Sequence, residues 1–161
     1  MKKHHNKYLL FVLAAMAALI AVTCTDRGTA AFTSTSFRDK SWKLVKLTVT
    51  PAIDWDLNGA PDRDIFTLLD DCEQDDLIEF KNDHSVVRNQ GPLQCDDDTL
   101  EKITGKWKYD TAQQAIVVTE DQKPTVFKIV EATAQSLTLH YPFESTGGQL
   151  HYMTAVYEAT P

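Results

Sequence analysis

Basic residues are in short supply. The chain carries 16 Lys and Arg against 23 Asp and Glu, a formal net charge of -7 at pH 7. Such a surface repels phosphates instead of neutralising them, which excludes DNA or RNA as a partner. Solubility, cation binding or basic partners fit it better. Glycine and proline are scarce too, six of each in 161 residues, which excludes collagen-like and linker-dominated chains. No Gly-x-Ser-x-Gly, phosphate-binding loop, His-Glu-x-x-His or dinucleotide fingerprint occurs. No catalytic residue is therefore named, and the protein reads as a non-enzyme. Carboxylates are so abundant that a glycosidase-type pair is always available, which makes that reading uninformative. The remainder, 43% hydrophobic and 24% charged, is an ordinary globular mix of a length suited to one domain with a tail.

The one long apolar run lies at the start. Lys2, Lys3 and Lys7 precede an uncharged stretch from Tyr8 to Thr25, whose core reads YLLFVLAAMAALIAV. A basic segment followed by an apolar core of this length has the form of a secretory signal; a membrane anchor is the rival. Ala21-Val22-Thr23-Cys24 resembles a bacterial lipobox, in which the cysteine is acylated and becomes the new N-terminus. Asp26 resembles the surface-export signals of Bacteroidetes-type lipoproteins. The resemblance implies a signal peptide over residues 1–23 and a lipid on Cys24 that attaches the chain to a membrane. It also implies a place in the cell envelope as an outer-membrane lipoprotein, periplasmic or surface-exposed. Ordinary cleavage after Ala31 is the alternative. Removing residues 1–23 discards three lysines and no acid, which takes the net charge to -10. Residues 24–40 are small and polar with two isolated Phe and no sustained period, and read as a flexible tether.

With Cys24 lipidated, Cys72 and Cys95 remain as an even pair in an oxidising compartment, which predicts a disulfide between them. Loop entropy gives such a bridge about 3.5 kcal/mol. A reactive thiol needs an electropositive setting. Here Cys72 is followed by Glu73, Asp75 and Asp76, and Cys95 by Asp96, Asp97 and Asp98.

From Ser41 the chain reads as strands. Ser41–Thr50 is rich in β-formers and stops at Pro51. Ile65–Leu69 follows Asp62 and Asp64, good first-turn acids for a short helix. Leu77–Lys81 and His84–Arg88 flank Asn82-Asp83 as a hairpin. Thr104–Tyr109, Ala115–Glu120, Thr125–Glu131, Ser136–Tyr141 and Leu150–Glu158 complete eight strands with short connections. No βαβ rhythm appears, so the expected fold is all-β. It is an eight-stranded antiparallel up-and-down barrel over 41–158 with one short helix in the first long connection, closure removing both edges. A sandwich is the alternative.

The order Trp42-Lys-Leu44, Cys72-Glu-Gln-Asp75-Asp76 with Phe80, Cys95, Gly105-Lys-Trp107 and hairpins ending at Tyr157 resembles the lipocalin-like lipoproteins of Bacteroidetes. Trp42 sits where lipocalins carry the Trp of a Gly-x-Trp motif, with Lys40 at the Gly position. The resemblance implies a small barrel with a lipid-anchored N-terminus and no established enzymatic activity.

Three side-chain groups invite chemistry. Asp54, Asp56 and Asn58, with Gly59 and Asp62, resemble the start of an EF-hand-type calcium loop, although Ile65 stands where the bidentate Glu belongs. Between 54 and 76 there are nine acids against one base, Arg63, a density that calls for a cation or for solvent. Calcium is the cofactor candidate, with none required; the alternative is a hydrated acidic turn. His140 and His151 are candidate cross-strand neighbours, without a third zinc ligand. Trp42, Trp107, Tyr109, Phe127 and Tyr141 are candidates to line a pocket for a small apolar ligand; a packed core is the alternative. Two functions follow: a lipid-anchored carrier of a small apolar molecule, or a solid-barrel accessory module acting through its acidic loops on a protein or glycan whose identity is unknown.

Overall fold

The computed structural model describes residues 37–95 and 101–161. The signal segment, Cys24, most of the tether and the Asp96–Asp98 run lie outside the described residues. Among the described residues there are nine strands: β1 (Ser41–Ile53), β2 (Asp62–Asp64), β3 (Leu77–Phe80), β4 (Ser85–Asn89), β5 (Glu101–Asp110), β6 (Ala115–Glu120), β7 (Lys123–Ala132), β8 (Ser136–Glu144) and β9 (Leu150–Ala159). From β3 onward each strand pairs antiparallel with the next, and β9 returns to β1 along Trp42–Thr50. Eight strands thus close an up-and-down barrel, with β2 as a short ninth on the flank of β1.

Alternation explains the closure. Leu137, Leu139 and Tyr141 on β8, His151, Met153, Ala155 and Tyr157 on β9, and Thr125, Phe127 and Ile129 on β7 share one face of their strands, and their neighbours are more exposed. Period-2 burial of this kind places one face on a common interior. Turn chemistry sets the register. Asp121 and Gln122 have φ 48° and 64°, the positive values a two-residue hairpin of matching twist requires, and Glu120 faces Lys123 across them.

β1 differs from its sequence reading. It runs past Pro51 to Ile53, where Ile53 pairs with Asp62 of β2, and the Pro51 carbonyl accepts a hydrogen bond from His151 Nδ1 at 2.9 Å. A bulge between Leu44 and Lys46 interrupts its pairing with β9. Its other edge is shared: Ser41–Lys43 pair with β3, whereas Thr48 and Ile53 pair with β2. The gap at Leu44 is spanned by the long first connection. There the predicted helix over 65–69 is a 3-10 turn, Phe66–Leu68, that seats the fully buried Ile65 against Leu47, with Ile65 N–H bonded to the Leu47 carbonyl at 2.8 Å. A further one-turn helix, Asp71–Gln74, follows, its Asp70 N–H held by Glu73 Oε2 at 3.0 Å.

The tether reading also needs correction at its end. Phe37 is fully buried, with ring centroids 5.6 Å from Phe80 and 5.4 Å from Trp107, both edge-on. Arg38 bridges Phe80, and Asp39 binds Asn82. One Phe in a polar tract has no periodicity to announce it, but the barrel end offers an aromatic socket. Two core clusters result. One gathers Phe37, Trp42, Phe80, Val86, Trp107 and their neighbours. The other gathers Leu47, Val49, Ile65, Met153 and Ala155.

Candidate functional site: a cavity inside the barrel

Where the two clusters meet, packing is incomplete. A cavity of about 160 Å³ is lined by Phe80, Val118 and Leu139 of the first cluster and by Phe127, Tyr141 and Tyr157. Ile78 and Arg88 border it as well. Phe127 and Tyr141 pack ring to ring at 4.7 Å. Tyr141, Tyr157, Phe127 and Ile78 point inward yet are only half-buried, as side chains that face an internal void must be. Burial lifts the Tyr141 and Tyr157 phenols above their ordinary range. An apolar chamber with a few polar groups is the usual form of a small-molecule site.

A second cavity of about 190 Å³ adjoins it. The two share Ile78, Arg88 and Tyr157, and the outer one adds Leu44, Leu69, Glu73, Asp76 and Leu77. It lies against the gap left by β1, so the long connection forms its rim. Asp76 is exposed there. Burial of part of its carboxyl, then the charge of Asp75, raises its pKa, with Arg88 acting in the opposite sense.

Arg88 shares strand parity with the buried Val86 and borders both cavities from the end of β4, where it is exposed. Its Nε lies 3.6 Å from Glu120 Oε1. Strand β5 separates the two residues, and Gly105 makes the reach possible. A Cβ on Gly105 would lie 2.7 Å from the Glu120 Cγ.

Residues 39–139 match the family described as lipocalin-like domain. The chain belongs to that family. Its eight-stranded closed barrel is the lipocalin-like architecture expected from the tryptophan, cysteine and hairpin order. No curated protein matches the chain. Among solved structures, bovine odorant binding protein complexed with a selenium-containing odorant matches with 15% identity and a TM-score of 0.42, covering 82% of this chain and 75% of the other. The same protein complexed with its natural ligand gives 15% and 0.42, covering 82% and 76%. A deswapped triple mutant gives 16% and 0.42, covering 76% and 73%.

The sequence-predicted site residues separate in this lipocalin-like barrel. Phe127 and Tyr141 line the cavity. Trp42 and Trp107 are buried in the packed cluster instead, their indole N–H groups donating to the Phe37 carbonyl at 2.8 Å and the Lys81 carbonyl at 2.9 Å. Tyr109 packs beside them, 6.3 Å from Phe37. None of these three lines the cavity. Arg88, Tyr157 and Ile78 were missed; the only sign of Arg88 in the sequence is its two-residue spacing from Val86.

Cys72 and Cys95 form the disulfide, 23 residues apart in sequence with Cα atoms 5.2 Å apart. The loop it closes is fastened again where Asp75 Oδ2 accepts the Leu93 N–H at 2.9 Å. Gly91, at φ +69°, sits so close that a Cβ would lie 2.8 Å from the Asp75 Cγ.

Asp54, Asp56 and Asp62 bring one carboxylate oxygen each within 4.8 Å of one another. Asn58 is turned to other work, donating to Asp56 Oδ2 and accepting from Ala60 N–H, both at 2.8 Å. The loop's own backbone donates to each carboxylate, Gly59 N–H to Asp54 Oδ2, Asn58 N–H to Asp56 and Trp55 N–H to Asp62, while Asp54 Oδ1 is buried without a hydrogen-bond partner. His140 and His151 are not cross-strand neighbours. His140 faces Thr154 and stacks on Tyr152 at 5.3 Å, whereas His151 is buried opposite Phe143.

Proposed function

We propose that this lipocalin-like protein is a non-catalytic carrier that holds a small apolar molecule inside its barrel. We further propose that it is tethered to the cell envelope through a lipid on Cys24. The chamber of about 160 Å³ between the two core clusters carries the first part. An apolar cavity of about 150 Å³ stays dry and admits a molecule the size of benzene, so this chamber suits a single compact ring. Its walls supply aromatic faces for that ring and two tyrosines for an occasional polar group. A solid-barrel module has no use for such a void, which is costly to maintain. The anchor rests on the basic, apolar and Cys24 sequence at the start of the chain.

Calorimetric titration of the purified chain with toluene tests the carrier reading. Saturable one-to-one binding, abolished by Leu139→Trp, which fills the chamber, is expected. No heat of binding, or binding unaffected by the filling variant, overturns it. Mass analysis of the mature N-terminus tests the anchor: a diacyl or triacyl cysteine as first residue is expected, and a start at Phe32 refutes it.

A further inference from the structure

The inner chamber carries polar groups of one kind. Its walls are the apolar side chains of Ile78, Phe80, Val118, Phe127 and Leu139, interrupted by the Tyr141 and Tyr157 phenols, with Arg88 bordering it from an exposed position. Among the described residues no carboxylate, amide or histidine lines it. Neither tyrosine hydroxyl has a hydrogen-bond partner among the described residues, although such groups are ordinarily paired inside a protein. A phenol donates one hydrogen bond, and a guanidinium only donates. The charges point the same way. Burial is the main cause of the raised pKa of both phenols; Tyr141 adds to it at Tyr157, and the Arg88 cation opposes it at both. The two phenols are therefore near neighbours, keep their protons at neutral pH and stand in the field of a positive charge. Such a field favours the negative end of a dipole.

We propose that the barrel selects a compact, uncharged aromatic carbonyl compound, with the ring in the inner chamber and the carbonyl oxygen accepting hydrogen bonds from Tyr141 and Tyr157. This assignment rests on the carrier reading and adds the chemical class of its ligand. A carbonyl oxygen has two lone pairs and no proton, so one atom satisfies both donors. A hydrocarbon of the same shape leaves both hydroxyls unpaired in a closed apolar space. An ammonium head brings donors alone to a chamber already furnished with donors. A carboxylate fares no better. Arg88 already faces Glu120 and acts on Asp76, and Glu73 and Asp76 border the outer cavity. A full anion would add to the carboxylates at the neck and lose its hydration in an apolar enclosure.

Acetophenone, α-methylstyrene and benzoate share one ring, one planar shape and the same number of non-hydrogen atoms. They differ in whether the head is a carbonyl, a hydrocarbon or an anion. Calorimetry on the full chain compares them with the double variant Tyr141→Phe and Tyr157→Phe. The variant removes only two unpartnered hydroxyls and keeps both rings, so the fold survives; binding of α-methylstyrene checks this. The hydrocarbon leaves water more readily than the ketone, so the readout is the ratio of the two affinities. That ratio, acetophenone over α-methylstyrene, is expected to fall about tenfold in the variant, as the loss of two hydrogen bonds to one oxygen requires. Benzoate is expected to bind the parent more weakly than acetophenone. A ratio that stays the same in the variant, or tighter binding of benzoate than of acetophenone, overturns the carbonyl assignment and leaves the carrier reading standing. If toluene, acetophenone and α-methylstyrene all fail to bind, the carrier reading falls and the assignment falls with it.

Discussion

Phe37→Ala is the substitution with the most informative energetic consequence. The ring is fully buried and meets Phe80 and Trp107 edge-on at 5.6 and 5.4 Å. Removing a buried Phe side chain costs about 3–5 kcal/mol, comprising lost transfer energy and the cavity left behind. The socket cannot collapse easily, because Trp42 and Trp107 are pinned through their indole N–H groups. A loss of about 4 kcal/mol follows, equivalent to a fall in melting temperature of about 10–20 °C for a domain of this size. Urea unfolding followed by tryptophan fluorescence reads it directly, with the exposed Leu57→Ala as a control expected within about 0.5 kcal/mol of the parent. A Phe37→Ala variant within about 1 kcal/mol of the parent would refute the inclusion of this residue in the barrel.

Three more outcomes are expected. Asp76→Asn stabilises the protein at neutral pH, because the folded chain holds this carboxyl above its ordinary 3.8 and takes up the proton first as pH falls. The gain fades as pH drops towards 3.8, and thermal melts between about pH 3 and 7 record it. The buried Tyr157 phenol behaves in the same sense at the alkaline end. Stability declines as pH rises above 10, where the unfolded chain releases the proton first, and Tyr157→Phe removes that part of the decline in alkaline denaturation curves. Replacing Cys72 and Cys95 by Ser lowers stability by about 3.5 kcal/mol, the loop entropy of the 23-residue separation, in denaturant unfolding.

Hairpins were the most legible part of the fold. Ala115–Glu120 matches its sequence reading residue for residue, and the last two strands extend theirs by only one to three residues at the C-terminal end. Alternation and turn residues act locally, so a reading of neighbours suffices. Features decided by distant partners escaped. Phe37 is fixed by Phe80 and Trp107, and β1 continues through Pro51 to pair Ile53 with Asp62 of β2. β2 exists only because β1 leaves an edge unpaired by β3. The site divides the same way. Phe127 and Tyr141 were visible as inward-facing aromatics. Trp42 and Trp107 looked equally suitable, but their indole N–H groups found carbonyls in the packed end. Arg88 became part of the site through Gly105 and Glu120, residues 17 and 32 positions away in the chain.

The most direct test of the account is a two-dimensional NMR spectrum of methyl and aromatic groups recorded with and without toluene. Shifts concentrated at Val118, Phe127, Leu139, Tyr141 and Tyr157, with the Phe37–Trp42–Trp107 end unchanged, are the predicted result. Shifts scattered over exterior residues such as Val126, Val130 and Tyr152, with the inner chamber silent, would contradict it.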